Sequence, residues 1–558
     1  MSLPETIAAE TSIALPVGDA GIAGHPGLAG HPGHAGHPGH AGHPGVAGHA
    51  GARAERRPAL GVRGWLLTAM LFLVPVATYW PATFHDFGLR DDYSNLREAH
   101  EELGKVVQFC ASHARPIYGW LLQATYGQTA TVHDLQWMRF TASLLLGALS
   151  LVSFRGLRAL GWPFSASLCF AVLLTLIPSA QVMAGWAVGW PYVATALLAF
   201  GAFFTVEGAL TVGMSAGAGR AVSQWMVALG LMVMSALIYQ PSALFYVVPL
   251  AAALIVQRQR TLAQCGRWAA IHLGFVVGSL GLAYCAMTRL YAAGVFVKSG
   301  RIAFEHHWGE KIAWFLREVM PNALSLFVLN DDHHRDHVLY LGCAAVVGTL
   351  LLAGAYAEWR RHGRSRGIVW LTALLGLPVF ACTVSLVASE HYATYRTILA
   401  MTAVLLCFLV ASIRALTEGW SSRGRRILAA IAVSAAFITA QHHVYALIAV
   451  PQGNEWQLIM AGAQQVHLDR SRPRIFAIAS TPADISTATI YHDEFGSLSS
   501  NSEWVPKEMF KRAMHDLHPE IANLDSRYEF SSGPALPVDQ RYDVVINLHR
   551  LRQFYTEN

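Results

Sequence analysis

The stretch GWLLTAMLFLVPVATYWPATFHDFGLRDDY, residues 64–93, passes from one solvent to another. From Gly64 to Trp80 it has no charged side chain, and its Leu, Ala and Val residues run on without the alternation of a half-buried strand. A run of roughly 20 apolar residues matches the hydrocarbon thickness of a bilayer. In lipid only a helix or a closed barrel satisfies the backbone. His85, Asp86, Arg90, Asp91 and Asp92 then follow together, so the chain has left the membrane by Asp91.

Similar runs recur downstream. The expected spans are about 64–82, 137–154, 163–182, 187–207, 222–239, 241–257, 268–290, 336–356, 367–388, 396–414 and 427–450. The chain of 558 residues is 54% hydrophobic and only 13% charged, about half the roughly 25% charge of a soluble protein. The fold class read from this pattern is an all-α polytopic membrane protein of about eleven transmembrane helices, with a small C-terminal α/β domain. The net charge of +5 says little about partners, because the arginines mark topology. Arg53, Arg56, Arg57 and Arg63 precede the first span, Arg155 and Arg158 follow the second, and Arg258, Arg260 and Arg267 separate the sixth from the seventh. Arg360, Arg361, Arg364 and Arg366 follow the eighth, and Arg423, Arg425 and Arg426 the tenth. All fall on one side, which the positive-inside rule makes cytoplasmic. The expected placement is a bacterial inner membrane, with a cytoplasmic N-terminus and a periplasmic C-terminus.

The split at Tyr239-Gln240-Pro241 divides an apolar run too long for one span, and Pro241, lacking an amide donor, suits a helix start. Residues 1–62 form the first of three regions. There an AGHPG-x repeat sets His25, His31, His37, His43 and His49 in register, a composition that reads as a disordered tail. Residues 63–450 are the membrane domain. Residues 451–558 are an accessory domain with strands expected at 471–480 and 542–547 and a helix at 503–518. That domain has no cysteine, so no disulfide framework holds it.

The chemistry gathers on the outer loops. The first, about 83–136, is longer than a connection needs and carries Asp91 and Asp92 next to the membrane, followed by an amphipathic segment from Tyr93 to Cys110. A carboxylate pair here can act as a general base, its pKa raised by burial and by the second charge. It can also hold a divalent cation, Mg or Mn, or simply cap the following helix. Ser389 to Arg396 collects Glu390, His391 and Arg396 in one short loop, where Arg396 either binds an anion or snorkels. Asn330 to His337 reads as a metal cluster or as a solvated loop.

Asp91-Asp92-Tyr93 after the first span, then an interfacial helix, Ala114-Arg115-Pro116, Trp190-Pro191-Tyr192 and Tyr239-Gln240-Pro241 resemble the GT-C superfamily of membrane glycosyltransferases. The nearest likeness is to bacterial O-antigen glucosyltransferases. The resemblance covers about 64–450 by architecture and a few short motifs by sequence. It implies a hexosyltransferase that moves a monosaccharide, with inversion, from a polyprenyl-phosphate sugar to a cell-envelope glycan acceptor such as lipopolysaccharide. On that resemblance Asp91 or Asp92 is the base, and Tyr93, Arg115, Tyr239, Gln240, Glu390, His391 and Arg396 bind substrate. The implied partners are the lipid-linked sugar, the glycan and the bilayer, with no nucleic acid. The competing readings are an O-antigen polymerase or ligase, a lipid-linked glycan transporter, and a non-enzymatic scaffold. A transporter usually places ionisable residues inside its spans, and here they gather on the loops.

Overall fold

The computed structural model describes residues 62–212, 218–257, 260–331, 338–469, 472–481, 491 and 493–556. The His-rich repeat, Arg258 and the segment Asp332 to His337 lie outside the described residues.

The apolar runs are helices, as the need to pair backbone groups in hydrocarbon requires. The first is α1 (Val62–Thr83). The first loop then builds three short helices, α2 (Asp91–Glu101), α3 (Lys105–Ser112) and α4 (Pro116–Tyr126). The interfacial segment expected from Tyr93 to Cys110 is thus two helices. Gly104 separates them at φ 87°, a backbone region open mainly to glycine. The bundle continues with α5 (Leu135–Ala159), α6 (Phe164–Leu174), α7 (Pro178–Gly185), α8 (Trp190–Val212), α9 (Ala218–Ala243), α10 (Val247–Val256) and α11 (Leu262–Ala292). Two short helices, α12 (Trp308–Trp314) and α13 (Met320–Leu324), flank a π-helical turn at Phe315–Val319. Then come α14 (Val338–His362), α15 (Arg364–Ala381), α16 (Thr383–Val387), α17 (Leu399–Leu416) and α18 (Ser422–Val444).

Among the described residues eight helical runs are long and apolar enough to cross a membrane, or up to nine if the bent pair α6–α7 is one span. The sequence expected eleven. The run 219–256 is one helical stretch by hydrogen bonding, yet Tyr239 inside it is extended (φ −156°, ψ 102°). The Tyr239 ring stacks on Tyr192 at the start of α8, whereas Gln224 lies beside Gly208 near its end. Beyond the break, Trp162 Nε1 donates to the Ala252 carbonyl at 2.9 Å, near the end of α10. Both halves therefore run between the two ends of the bundle. The helix α15 falls short because Arg364 and Arg366 occupy its first turn. Large apolar side chains stay exposed along the spans, among them Leu66, Leu73, Leu352, Ile431 and Ile438. On a multi-pass membrane protein such residues face lipid.

The last span does not stop near Val450. A π-helical turn at Tyr445–Ala449 leads into α19 (Val450–Ala463), with Pro451 in its first turn. The small domain beyond has β1 (Arg474–Ile478), α20 (Val505–Leu517), β2 (Glu529–Gly533), β3 (Val544–Asn547) and α21 (Gln553–Thr556). Its three strands are parallel in the order β2-β1-β3; β2 was not expected. The helix α20 packs on α2. Arg97 ties the two together, with Nε 2.8 Å from Glu508 and Nη1 2.6 Å from Glu102.

Candidate functional site

The reversal after α1 presents the two aspartates, and Arg139 of α5 holds it. This buried guanidinium donates to the carbonyls of Thr83, Phe87 and His85 at 3.2, 2.9 and 2.7 Å and lies 4.1 Å from the Phe87 ring centroid. Three acceptors and an aromatic face compensate a charge that would otherwise be costly to bury.

Asp91 and Asp92 then part company. Asp92 is fully buried. One of its oxygens accepts from Leu89 N at 2.8 Å and the other from the Tyr126 hydroxyl at 2.5 Å. Burial pushes its carboxyl up to about 7 against the pull of these donors. Asp91 is half-buried, and among the described residues nothing is hydrogen-bonded to its carboxylate. Burial raises its pKa, while Arg396 and Arg90 act to lower it. Neither aspartate caps an amide of α2. Tyr93 is fully buried too: its hydroxyl donates to Gly88 O at 3.1 Å and accepts from Gly88 N at 3.2 Å. Asp92 and Tyr93 are thus buried and hydrogen-bonded within the turn, while Asp91 keeps partial exposure.

Two arginines stand near Tyr239. The Arg115 guanidinium is 4.8 Å from the Tyr239 ring centroid, and its Nε is buried without an acceptor among the described residues. Gln240 Nε2 donates to Ala114 O at 2.6 Å, so the break at Tyr239 within α9 fixes the backbone beside Arg115. Tyr239 stacks on Tyr192 (4.0 Å) and Tyr192 on Tyr118 (5.2 Å). Arg396 lies 4.4 Å from the Trp186 ring centroid and donates to Tyr392 and, at 2.8 Å, to Glu494. The charges of Arg115 and Arg396 both reach Tyr192 and Tyr239.

Glu390 and His391 sit at the margin. Arg301 is 3.9 Å from Glu390, Lys311 Nζ donates to the Glu390 carbonyl at 2.8 Å, and His391 meets Trp314 edge-on at 5.2 Å. Arg396 thus links Asp91 to Tyr239 and Arg115 electrostatically, Gln240 holds the backbone beside Arg115, and Glu390 and His391 have their contacts with Arg301, Lys311 and Trp314 instead.

The C-terminal domain supplies residues that the sequence reading missed. Asp493 accepts from Tyr395 N at 3.0 Å, and Glu494 is fully buried against Arg396. Burial and the adjacent Asp493 charge raise the Glu494 pKa. Arg90, at φ 43°, is held by Ser499 (2.9 Å) and Ser497 (3.1 Å). Glu455 of α19 accepts from the Ser499 and Ser500 amides at 3.0 and 3.2 Å. Two adjacent carboxylates, Asp493-Glu494, repeat the Asp91-Asp92 pattern and were the available signal.

Among the described residues no group of three His, Cys, Asp or Glu could hold a metal ion. Of the expected cluster, Asn330 and Asp331 are described, Asn330 N donating to the Tyr395 hydroxyl at 2.9 Å and Asp331 bridging to Tyr491; residues 332–337 lie outside the described residues.

No family model and no curated protein matches the chain. Among solved structures it is similar to the crystal structure of the Archaeoglobus fulgidus oligosaccharyltransferase complex with zinc and sulfate, at 12% identity and a TM-score of 0.42. The match covers 80% of this chain and 61% of that one.

Proposed function

We propose that the protein is a membrane glycosyltransferase of GT-C type that takes a monosaccharide from a polyprenyl-phosphate donor, with Asp91 as general base. The observation that supports this reading is the Asp91 carboxylate, without a hydrogen-bond partner among the described residues, raised in pKa by burial and reached by the charge of Arg396, which together with Arg115 also reaches Tyr239. A raised carboxyl is the stronger base. Arginine suits a phosphate because its fork meets two oxygens. The acceptor hydroxyl attacks the anomeric carbon as the bond to the lipid phosphate breaks, with inversion. Asp91 takes the hydroxyl proton, and the lipid phosphate leaves against Arg115 and Arg396. The buried aromatic set Tyr118–Tyr192–Tyr239 backs Arg115. With the arginine-rich loops cytoplasmic, this end of the bundle faces the periplasm, and the acceptor is a glycan of the envelope.

The transporter alternative has less support. Within the spans, Glu207, Trp268, His272 and Tyr246 form one polar group. Glu207 accepts from Trp268 at 2.7 Å and pairs with His272 at 3.0 Å, and His272 pairs with Tyr246 at 2.7 Å. These residues satisfy one another, as a structural network does.

The test is transfer from a radiolabelled polyprenyl-phosphate hexose by purified protein, wild type against Arg115→Ala. The expected result is product from wild type and a raised donor KM in the variant. Absence of product from wild type across several donor sugars overturns the reading.

A further inference from the structure

The small domain has a second cleft, separate from the Asp91 site, of about 660 Å³, within the range of small-molecule sites. Arg474 and Phe476 of β1 register with Glu529 and Ser531 of β2. These residues line the cleft from one face of the sheet, while Phe530, paired with Ile475 on the other face, also lines it and stacks on Phe510 of α20. The cleft therefore wraps the edge strand β2, and α20 beyond that edge has two working faces. Glu508, Arg512 and His515 reach the first loop, while Lys507 and Lys511, one turn apart, line the cleft.

The lining is cationic and aromatic at once. Arg472, Arg474, Lys507 and Lys511 face only Asp525 and Glu529, so positive charge is in excess. Lys511 pairs with Asp525 at 2.8 Å; Lys507 is exposed and has no ion pair among the described residues. The ring of Tyr542 is fixed. It lies 5.0 Å from Phe476, the Arg474 guanidinium is 5.2 Å from its centroid, and its hydroxyl donates to Gln540 at 2.7 Å. Gln540 also accepts from Arg474 at 3.0 Å. Pre-positioned amide, guanidinium and carboxylate groups suit a ligand rich in hydroxyls. Fixed aromatic faces suit the C–H face of a sugar ring. A lone phosphate would touch only a corner of this volume.

We infer that this cleft binds an acidic saccharide, a glycan bearing uronate or phosphate, and so holds the acceptor strand for the Asp91 site. The inference rests on the glycosyltransferase reading for its purpose but not for its measurement. Full-length protein in detergent is titrated calorimetrically with a tetrasaccharide of alternating N-acetylglucosamine and glucuronate, with maltotetraose and with inorganic phosphate. The acidic tetrasaccharide should bind at least tenfold more tightly than maltotetraose. Lys507→Glu and Tyr542→Ala should each weaken it at least tenfold, and Asp91→Asn should leave it unchanged. Lys507 is a surface residue, so its variant folds even if Tyr542→Ala does not. No binding, equal binding of the neutral sugar, displacement by phosphate alone, or an unchanged Lys507→Glu variant overturns the proposal. Intact binding by a protein that transfers no sugar supports the cleft and removes the glycosyltransferase reading instead.

Discussion

Arg139→Met tests how the first loop is held. The substitution keeps the length and apolar stem of the side chain but removes the donors to the Thr83, His85 and Phe87 carbonyls. Leaving a buried acceptor unpaired costs about 1–3 kcal/mol. Three such losses are offset in part by no longer burying a guanidinium, which itself costs several kcal/mol. The net expectation is a loss of roughly 2–4 kcal/mol, read as a Tm lowered by several degrees in detergent micelles. The same carbonyls fix the turn that ends at Asp91, so transfer should fall by about 10²-fold, the cost of an ångström-scale misplacement. Arg139→Lys, reaching one carbonyl at a time, should recover part of both. Arg155→Met, an exposed position on the same helix, should change neither. An Arg139→Met protein with wild-type Tm and wild-type transfer would refute the argument.

The remaining predictions concern the carboxylates. Asp92 has a folded pKa of about 7 against about 3.9 unfolded, so between those values the folded state holds the extra proton. The contribution of Asp92 to stability is therefore fully present below about pH 4 and is lost as pH rises to about 7, and Asp92→Asn should remove that component from denaturation followed across pH. Because the Asp91 pKa is raised, the acid limb of the transfer rate should lie above the ordinary carboxylate range; a limb at pH 4 or below would contradict it. Glu494→Gln removes the carboxylate that competes for Arg396, so the donor KM should drop, and an unchanged KM would place the phosphate elsewhere.

Much of the fold was legible because hydrocarbon leaves the backbone few choices. Each expected span coincides at least in part with helix, and the break at Tyr239 shows in its extended backbone. The count was not legible: helical hydrogen bonding runs on through that break, and Arg364 and Arg366 dilute α15. Position marked Asp91, a carboxylate beside a second one just beyond the first span, whereas Arg115 was marked only by the family resemblance. Position did not separate Asp91 from Asp92. That distinction depends on Tyr126 and Leu89, one of them 34 residues away in the chain. Arg139, an arginine inside the expected span 137–154, was a signal left unused, but its partners on the turn after α1 are not encoded locally. Asp493 and Glu494 reach the site only because the C-terminal domain folds back onto α2 and Arg396, a long-range contact that periodicity does not encode.

The most direct measurement is sugar transfer by Asp91→Asn and Asp92→Asn at equal membrane expression, with thermal stability measured on the same preparations. The account predicts that Asp91→Asn loses about 10²–10⁴-fold in rate, the usual contribution of a general base, at an unchanged Tm. It also predicts that Asp92→Asn keeps most of its activity per folded molecule. Full transfer by Asp91→Asn would contradict it.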